Sequence, residues 1–312
     1  MKAWRLFAAH VPLRLVDVPE PEAGPSDIIV DVRAAGICHT DVGYLDGSLT
    51  HALGAMPITL GHEIAGVISE VGSDVTGFQV GQKVVIPASV SGPGTGIDGG
   101  FAEQVRARDH QVMALPDGIP WEQAAPATDA GVTSYHSLRR GGVRAGTRLG
   151  IIGAGGLGSL ALQFAHALGA EVYVAETNRT IWDRLAGLGA VGVAESIREF
   201  ADRDLEVIVD YAGFGTTTDD ALVTVGDRGT VVQVGVGVQR ADISTTAIVG
   251  KQVDLLGSLG GTHEELVEVL DLLAAGTVSS EVELVSFESI GDSIDRFRRG
   301  EANQGRLVAV RD

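Results

Sequence analysis

Residues 36 to 41 read GICHTD, and Cys38 is the only cysteine in the 312-residue chain. His39, Thr40 and Asp41 follow at once, each polar and each able to do chemistry. A second chemical stretch is glycine-rich. GIIGAGGLG holds Gly153-x-Gly155-x-x-Gly158, with Gly156 and Leu157 completing the loop, where the pattern predicts a strand running into a helix. Gly153 permits a tight turn, Gly155 lets backbone approach a pyrophosphate, and Gly158 lets the helix pack close to the strand. The phosphates would sit at the helix N-terminus, where free N–H groups and the helix dipole favour anions. Glu176 ends the next predicted strand, 18 residues after Gly158. A carboxylate there accepts hydrogen bonds from adenosine ribose hydroxyls and repels a 2′-phosphate, so NAD(H) is expected over NADP(H). Arg179 pulls the other way, since an arginine can pair with that phosphate. Three glycines alone carry little weight in a chain with 43 of them, and a turn without a ligand is the plain alternative. The strand, helix and acid around them favour a dinucleotide.

These residues need elements to hold them. A length of 312 residues suggests two domains. Up to about residue 125 the chain reads as short strands, such as DIIVDVRAAGI, GVISEVG and GQKVVIPASV, punctuated by PEAGPSD and SGPGTGIDGG. From about residue 130 strands alternate with helical stretches, which predicts an open parallel α/β sheet. Two further helical patterns and a closing strand follow, and that strand could return to the first domain.

Composition narrows the partners. A net charge of −18 with no compensating basic run argues against nucleic acid and anionic membranes. No run of about 20 apolar residues could span a bilayer, and the opening MKAWRLFAAHVPLRLVDVPEPEAGP has charges every few residues rather than a leader pattern. One cysteine permits no internal disulfide and suits a cytoplasmic location.

A third string, LGHEIAGVISEVGSDVTGFQVGQKV, covers residues 60 to 84. With GICHTD, GIDGGFAEQ and the glycine motif, it resembles the medium-chain, zinc-dependent alcohol dehydrogenase family, from MKAW to the closing NQGRLVAV. The resemblance implies an α/β protein with a GroES-like, mostly-β catalytic domain over 1–129 and 260–312. It also implies a Rossmann-type, doubly wound parallel-sheet cofactor domain over 130–259. It places a catalytic zinc on Cys38, His62 of GHE and Asp129 of AAPATDAGVTSYHSL, where many relatives carry cysteine. The dull alternatives are a packed thiol, a locally bonded histidine, and an aspartate that caps the following helix.

The resemblance extends to further residues. Asp41 and Glu63 stand behind the ligands: Asp41 could hold the far nitrogen of His62, and Glu63 could do the same or become a transient ligand. Thr40 would bond the substrate oxygen. The relay histidine of relatives falls near Gly43, so His39, water or Tyr44 would finish the proton path; His39 also sits where relatives contact the pyrophosphate. Thr133 would touch the nicotinamide, and Arg306 of NQGR would reach the cofactor phosphates. No cysteines exist for a structural zinc, and VSGPGTG stands in that lobe's place, so one zinc per chain is expected. A homodimer or homotetramer acting on a small alcohol or carbonyl by hydride transfer is the implied whole. Rivals are a zinc-free quinone or enoyl reductase, a biosynthetic carbonyl reductase for a bulky substrate, and a non-enzymatic nucleotide sensor on the same fold.

Overall fold

The computed structural model describes residues 1–301 and 305–311; Asn303 and Gln304 of the NQGR string lie outside them. Among the described residues the chain divides into two compact units, Met1–Asp129 with Leu266–Asp312, and Ala130–Glu265.

The first unit opens with β1 (Lys2–Leu6), β2 (Arg14–Asp17) and the long β3 (Asp27–Ile37), followed by the short helix α1 (His39–Leu45). Then come β4 (Ile58–Thr59), β5 (Glu63–Val71), β6 (Lys83–Ile86), β7 (Gln104–Arg108), β8 (Met113–Ala114) and α2 (Trp121–Pro126). In β3 the β-branched residues Ile28, Ile29, Val30 and Val32 fit a pleated surface, and nearly all of the strand is buried. Its long ladder with β5 fixes register, pairing Gly36 with Glu63. Ile28, Val30, Ile64, Ile68, Val84 and Phe101 belong to the core packed around this ladder.

In the second unit α3 (Val132–Arg140) leads to β9 (Arg148–Ile152), α4 (Gly156–Ala167), β10 (Glu171–Ala175), α5 (Trp182–Gly187) and β11 (Ala190–Ala194). The series continues with β12 (Val207–Asp210), α6 (Thr216–Thr224), β13 (Thr230–Gln233), α7 (Thr245–Lys251) and β14 (Asp254–Gly257). The strands form one parallel sheet in the order β11-β10-β9-β12-β13-β14. The chain therefore winds outward from β9 to one side and restarts at β12 on the other. Such a reversal opens a crevice at the carboxyl ends of β9 and β12, where open α/β sheets bind ligands.

Helix α8 (His263–Ala274) carries the chain back into the first unit, followed by β15 (Val282–Ser286), α9 (Ile290–Arg298) and β16 (Arg306–Val310). The closing strand pairs with β3 in antiparallel register, Leu307 opposite Ile37, and completes the sheet order β15-β16-β3-β5-β6-β8, with β7 also on β3. That pairing brings Arg306 to the ladder that carries Gly36 and Glu63.

Candidate metal centre

Donor atoms of Cys38, His62 and Asp129, all in the first unit, lie within 4.8 Å of one another. Cys38 Sγ is 3.4 Å from Asp129 Oδ2, and His62 Nε2 is 3.6 Å from the same oxygen. Zinc bonds of about 2.3 Å to sulfur and about 2.0 Å to nitrogen or oxygen, set tetrahedrally, leave ligand atoms roughly 3.3–3.5 Å apart. Both distances to Asp129 Oδ2 are close to that spacing. Cys38 and His62 are buried, while 20% of the Asp129 side chain is exposed, so the cluster stays open on one side.

Each ligand position has a local cause. Cys38 follows β3 and precedes α1, where its backbone N–H donates to Asp41 Oδ2 at 2.9 Å. The other Asp41 oxygen faces His62 Nδ1 at 3.5 Å, and neither atom has a closer hydrogen-bond partner. Asp41 is fully buried. One carboxylate thus ties the turn of one ligand to the ring of another and aims His62 Nε2 at Asp129, as a metal-binding histidine requires. His62 follows Gly61, whose φ is +89° and whose absent Cβ would lie 2.5 Å from the buried Phe101 ring. Only glycine fits that turn. Asp129 does not cap a helix: it sits in a π-helical turn, Ala127–Gly131, inserted between α2 and α3. Such turns displace side chains from regular helical spacing and recur at functional sites.

Electrostatics favour a cation here. Burial opposes charging His62, but Asp41, Asp129 and Cys38 around it raise its pKa well above the usual imidazole value. Asp129 is held well below the usual carboxylate range: against the cost of burial stand the hydrogen bond and charge of His62 and the charge of Arg306. The negative groups thus attract a proton to His62, and a metal ion would displace it.

Arg306 is buried beside this cluster. Its guanidinium, 5% exposed, is paired with both carboxylate oxygens of Glu63, Nε to Oε2 at 3.0 Å, and Nη2 also reaches Asp129 Oδ2 at 3.2 Å. Arg306 thus sits beside the Cys38, His62 and Asp129 cluster, and Glu63 faces it. Thr40 Oγ1 lies 3.5 Å from Cys38 Sγ. His39 is exposed, with its ring 4.1 Å from that of Phe297. Tyr44 is buried, which raises the pKa of its phenol.

Apart from Arg306 and His39, the residues expected to hold a dinucleotide lie in the second unit. Gly153 has φ +83°, and a Cβ on Gly158 would lie 1.9 Å from the Gly153 carbonyl oxygen, so the first turn of α4 packs directly on the loop. Gly156 and Leu157 open α4 after Gly155. Glu176 accepts the Ala154 N–H at 2.8 Å and the Asn178 N–H at 2.7 Å, which fixes its carboxylate beside the loop. Arg179 is paired with Glu195 at 2.7 Å and leans on the Trp182 ring, and Thr133 is buried within α3.

A family profile described as alcohol dehydrogenase GroES-like domain matches residues 24–117, and one described as zinc-binding dehydrogenase matches residues 156–275. An alcohol dehydrogenase of Geobacillus stearothermophilus is 32% identical to this chain over 335 aligned positions, which span 99% of each protein. The chain belongs to the zinc-dependent alcohol dehydrogenase family of medium-chain dehydrogenases. Among solved structures, the alcohol dehydrogenase of Aeropyrum pernix superposes with a TM-score of 0.90 at 30% identity, covering 100% of both chains. An acetophenone reductase of Geotrichum candidum, solved with NAD, gives a TM-score of 0.91 at 28% identity over 99% of this chain and 97% of its own. Both align with the whole of this chain, not with one unit alone.

Proposed function

We propose that the protein is a zinc-dependent oxidoreductase that interconverts an alcohol and its aldehyde or ketone with NAD(H), and that it carries one zinc per chain. The observation that carries this reading is the convergence of one thiolate, one imidazole and one carboxylate donor within 4.8 Å. Cys38 and Asp129 together offset a divalent charge, and the chain has no other cysteine from which to build a thiolate-rich second site. A zinc ion on these three ligands would act as a Lewis acid toward the substrate oxygen, easing loss of the alcohol proton or polarising a carbonyl.

The side chains account for the rest. Asp41 holds the His62 ring in its metal-facing orientation. The Thr40 hydroxyl, beside the Cys38 sulfur, takes and returns the proton at the substrate oxygen. Gly43 cannot pass that proton on: Leu49 and Ser48 fill the space where its side chain would begin, at 2.7 and 3.3 Å. Buried Tyr44, with its raised pKa, is no better suited. The proton therefore leaves from Thr40 by way of exposed His39 or water. Gly153 to Gly158 and the α4 N-terminus receive the pyrophosphate, Glu176 takes the adenosine ribose, and Thr133 faces the nicotinamide.

A spectrophotometric screen of NADH and NADPH against alcohols, aldehydes and ketones, with and without a chelator, tests the proposal. Chelator-sensitive turnover with NAD(H) is the expected outcome; metal-independent turnover would point to a zinc-free reductase. Glu176→Ala should raise the NADP-to-NAD ratio of kcat/KM by about ten-fold, since the residue that repels a 2′-phosphate is gone. A parent enzyme that already prefers NADPH would contradict the role given to Glu176.

A further inference from the structure

The second unit contains a group of buried hydroxyls that the proposed reaction does not use. Ser134 and Ser137, both fully buried, sit three residues apart on one side of α3. Tyr211, the first residue after β12, brings its hydroxyl to 2.6 Å from Ser137 Oγ, and Ser137 donates to the Ser134 carbonyl at 2.7 Å. With that proton committed, Tyr211 is the donor to Ser137. Ser134 Oγ lies 2.7 Å from the Ala130 carbonyl oxygen and 2.9 Å from that of Leu157, so its single proton serves two acceptors. Leu157 belongs to the glycine loop and to the first turn of α4. Two separate sets of bonds thus anchor α3, one to the loop after β12 through Tyr211 and Ser137, the other to the loop after β9 through Ser134 Oγ. These loops flank the sheet's crevice.

Packing alone does not call for it. Burying hydroxyls is unfavourable unless each finds a partner, and α3 and α4 are already held by the edge-on contact of Tyr135 with Phe164, 5.3 Å between ring centres. What the hydroxyls add is direction, because a hydrogen bond fixes the position of the Leu157 carbonyl more closely than apolar contact does. The amides of that same turn are the ones aimed at an anion.

We propose that Tyr211, Ser137 and Ser134 are positioning residues that hold the glycine loop and the first turn of α4 in register with the crevice, and so set affinity for the dinucleotide pyrophosphate. This rests on the dinucleotide reading given above. The test uses the full chain with Ser134→Ala, Tyr211→Phe and the double variant. NADH is titrated by fluorescence, and ADP-ribose and adenosine are measured by its displacement. NADH and ADP-ribose should each weaken about ten-fold in either single variant, the size of one lost directional hydrogen bond. Adenosine, which has no phosphate, should change by less than about two-fold, and the double variant should lose about the sum of the two single losses, because the bonds of Tyr211 and of Ser134 Oγ are separate. Unchanged ADP-ribose affinity, equal weakening of adenosine, or a double variant no weaker than the singles would overturn the proposal. A parent protein that binds no dinucleotide would sink the functional reading as well; a parent that binds normally beside unaffected variants would sink the positioning role alone.

Discussion

Cys38→Ser and His62→Ala should each purify with zinc reduced to a small fraction of one equivalent and turnover lowered roughly a thousand-fold or more, the scale of losing the Lewis acid. NADH affinity should remain within about three-fold of the parent, since neither change touches the residues placed on the dinucleotide. The reason lies in the geometry: Cys38 and His62 are buried, each is oriented by Asp41, and both face Asp129 Oδ2 at 3.4 and 3.6 Å. Two ligands cannot replace three when the remaining pair includes the partly exposed Asp129. Metal analysis, steady-state kinetics and NADH titration on the same preparations check this. A variant that loses zinc yet keeps full turnover would separate the metal from the chemistry.

Glu63→Ala should be the most destabilising single change near the site. It leaves the Arg306 guanidinium buried at 5% exposure, with Asp129 the one carboxylate paired to it among the described residues, at 3.2 Å. Removing one member of a buried ion pair costs about 3–5 kcal/mol because the other charge stays uncompensated, which corresponds to a fall in Tm of roughly 10 °C for a unit of this size. Zinc affinity should drop as well, by about 10–100-fold, as a support behind the ligands is lost and Arg306 competes for Asp129. Glu63→Leu combined with Arg306→Met should regain most of the stability, since a packed apolar pair replaces a buried ionic one. Denaturant and thermal unfolding measure both. A Glu63→Ala protein within about 1 kcal/mol of the parent would place this pair with weak surface salt bridges.

Much of the architecture is written in local pattern. Strand–helix alternation from about residue 130 reads directly as the parallel sheet, and the glycine spacing locates the tight loop after β9, because backbone sterics act over a few residues. The spacing from Cys38 to Asp41 likewise encodes a short-range hydrogen bond. Other features depend on distance along the chain. Glu63 and Arg306 meet across 243 residues, and only the β16–β3 pairing brings them together, so the sequence suggested separate roles for them. The π-turn at Asp129 was hidden for another reason: one extra residue in a helix leaves the apolar pattern of AAPATDAGVTSYHSL almost unchanged, so a cap and a ligand read alike. Ser134 and Ser137 gave no signal beyond two small polar residues in a helix, and their meaning comes from Tyr211, 74 residues beyond Ser137.

Anomalous X-ray scattering recorded on both sides of the zinc absorption edge, from crystals of the natively purified enzyme, tests the central claim most directly. One zinc peak per chain should appear, about 2.3 Å from Cys38 Sγ and about 2.0 Å from His62 Nε2 and an Asp129 oxygen. A peak bound elsewhere, or none near these three atoms in an active enzyme, would contradict the account.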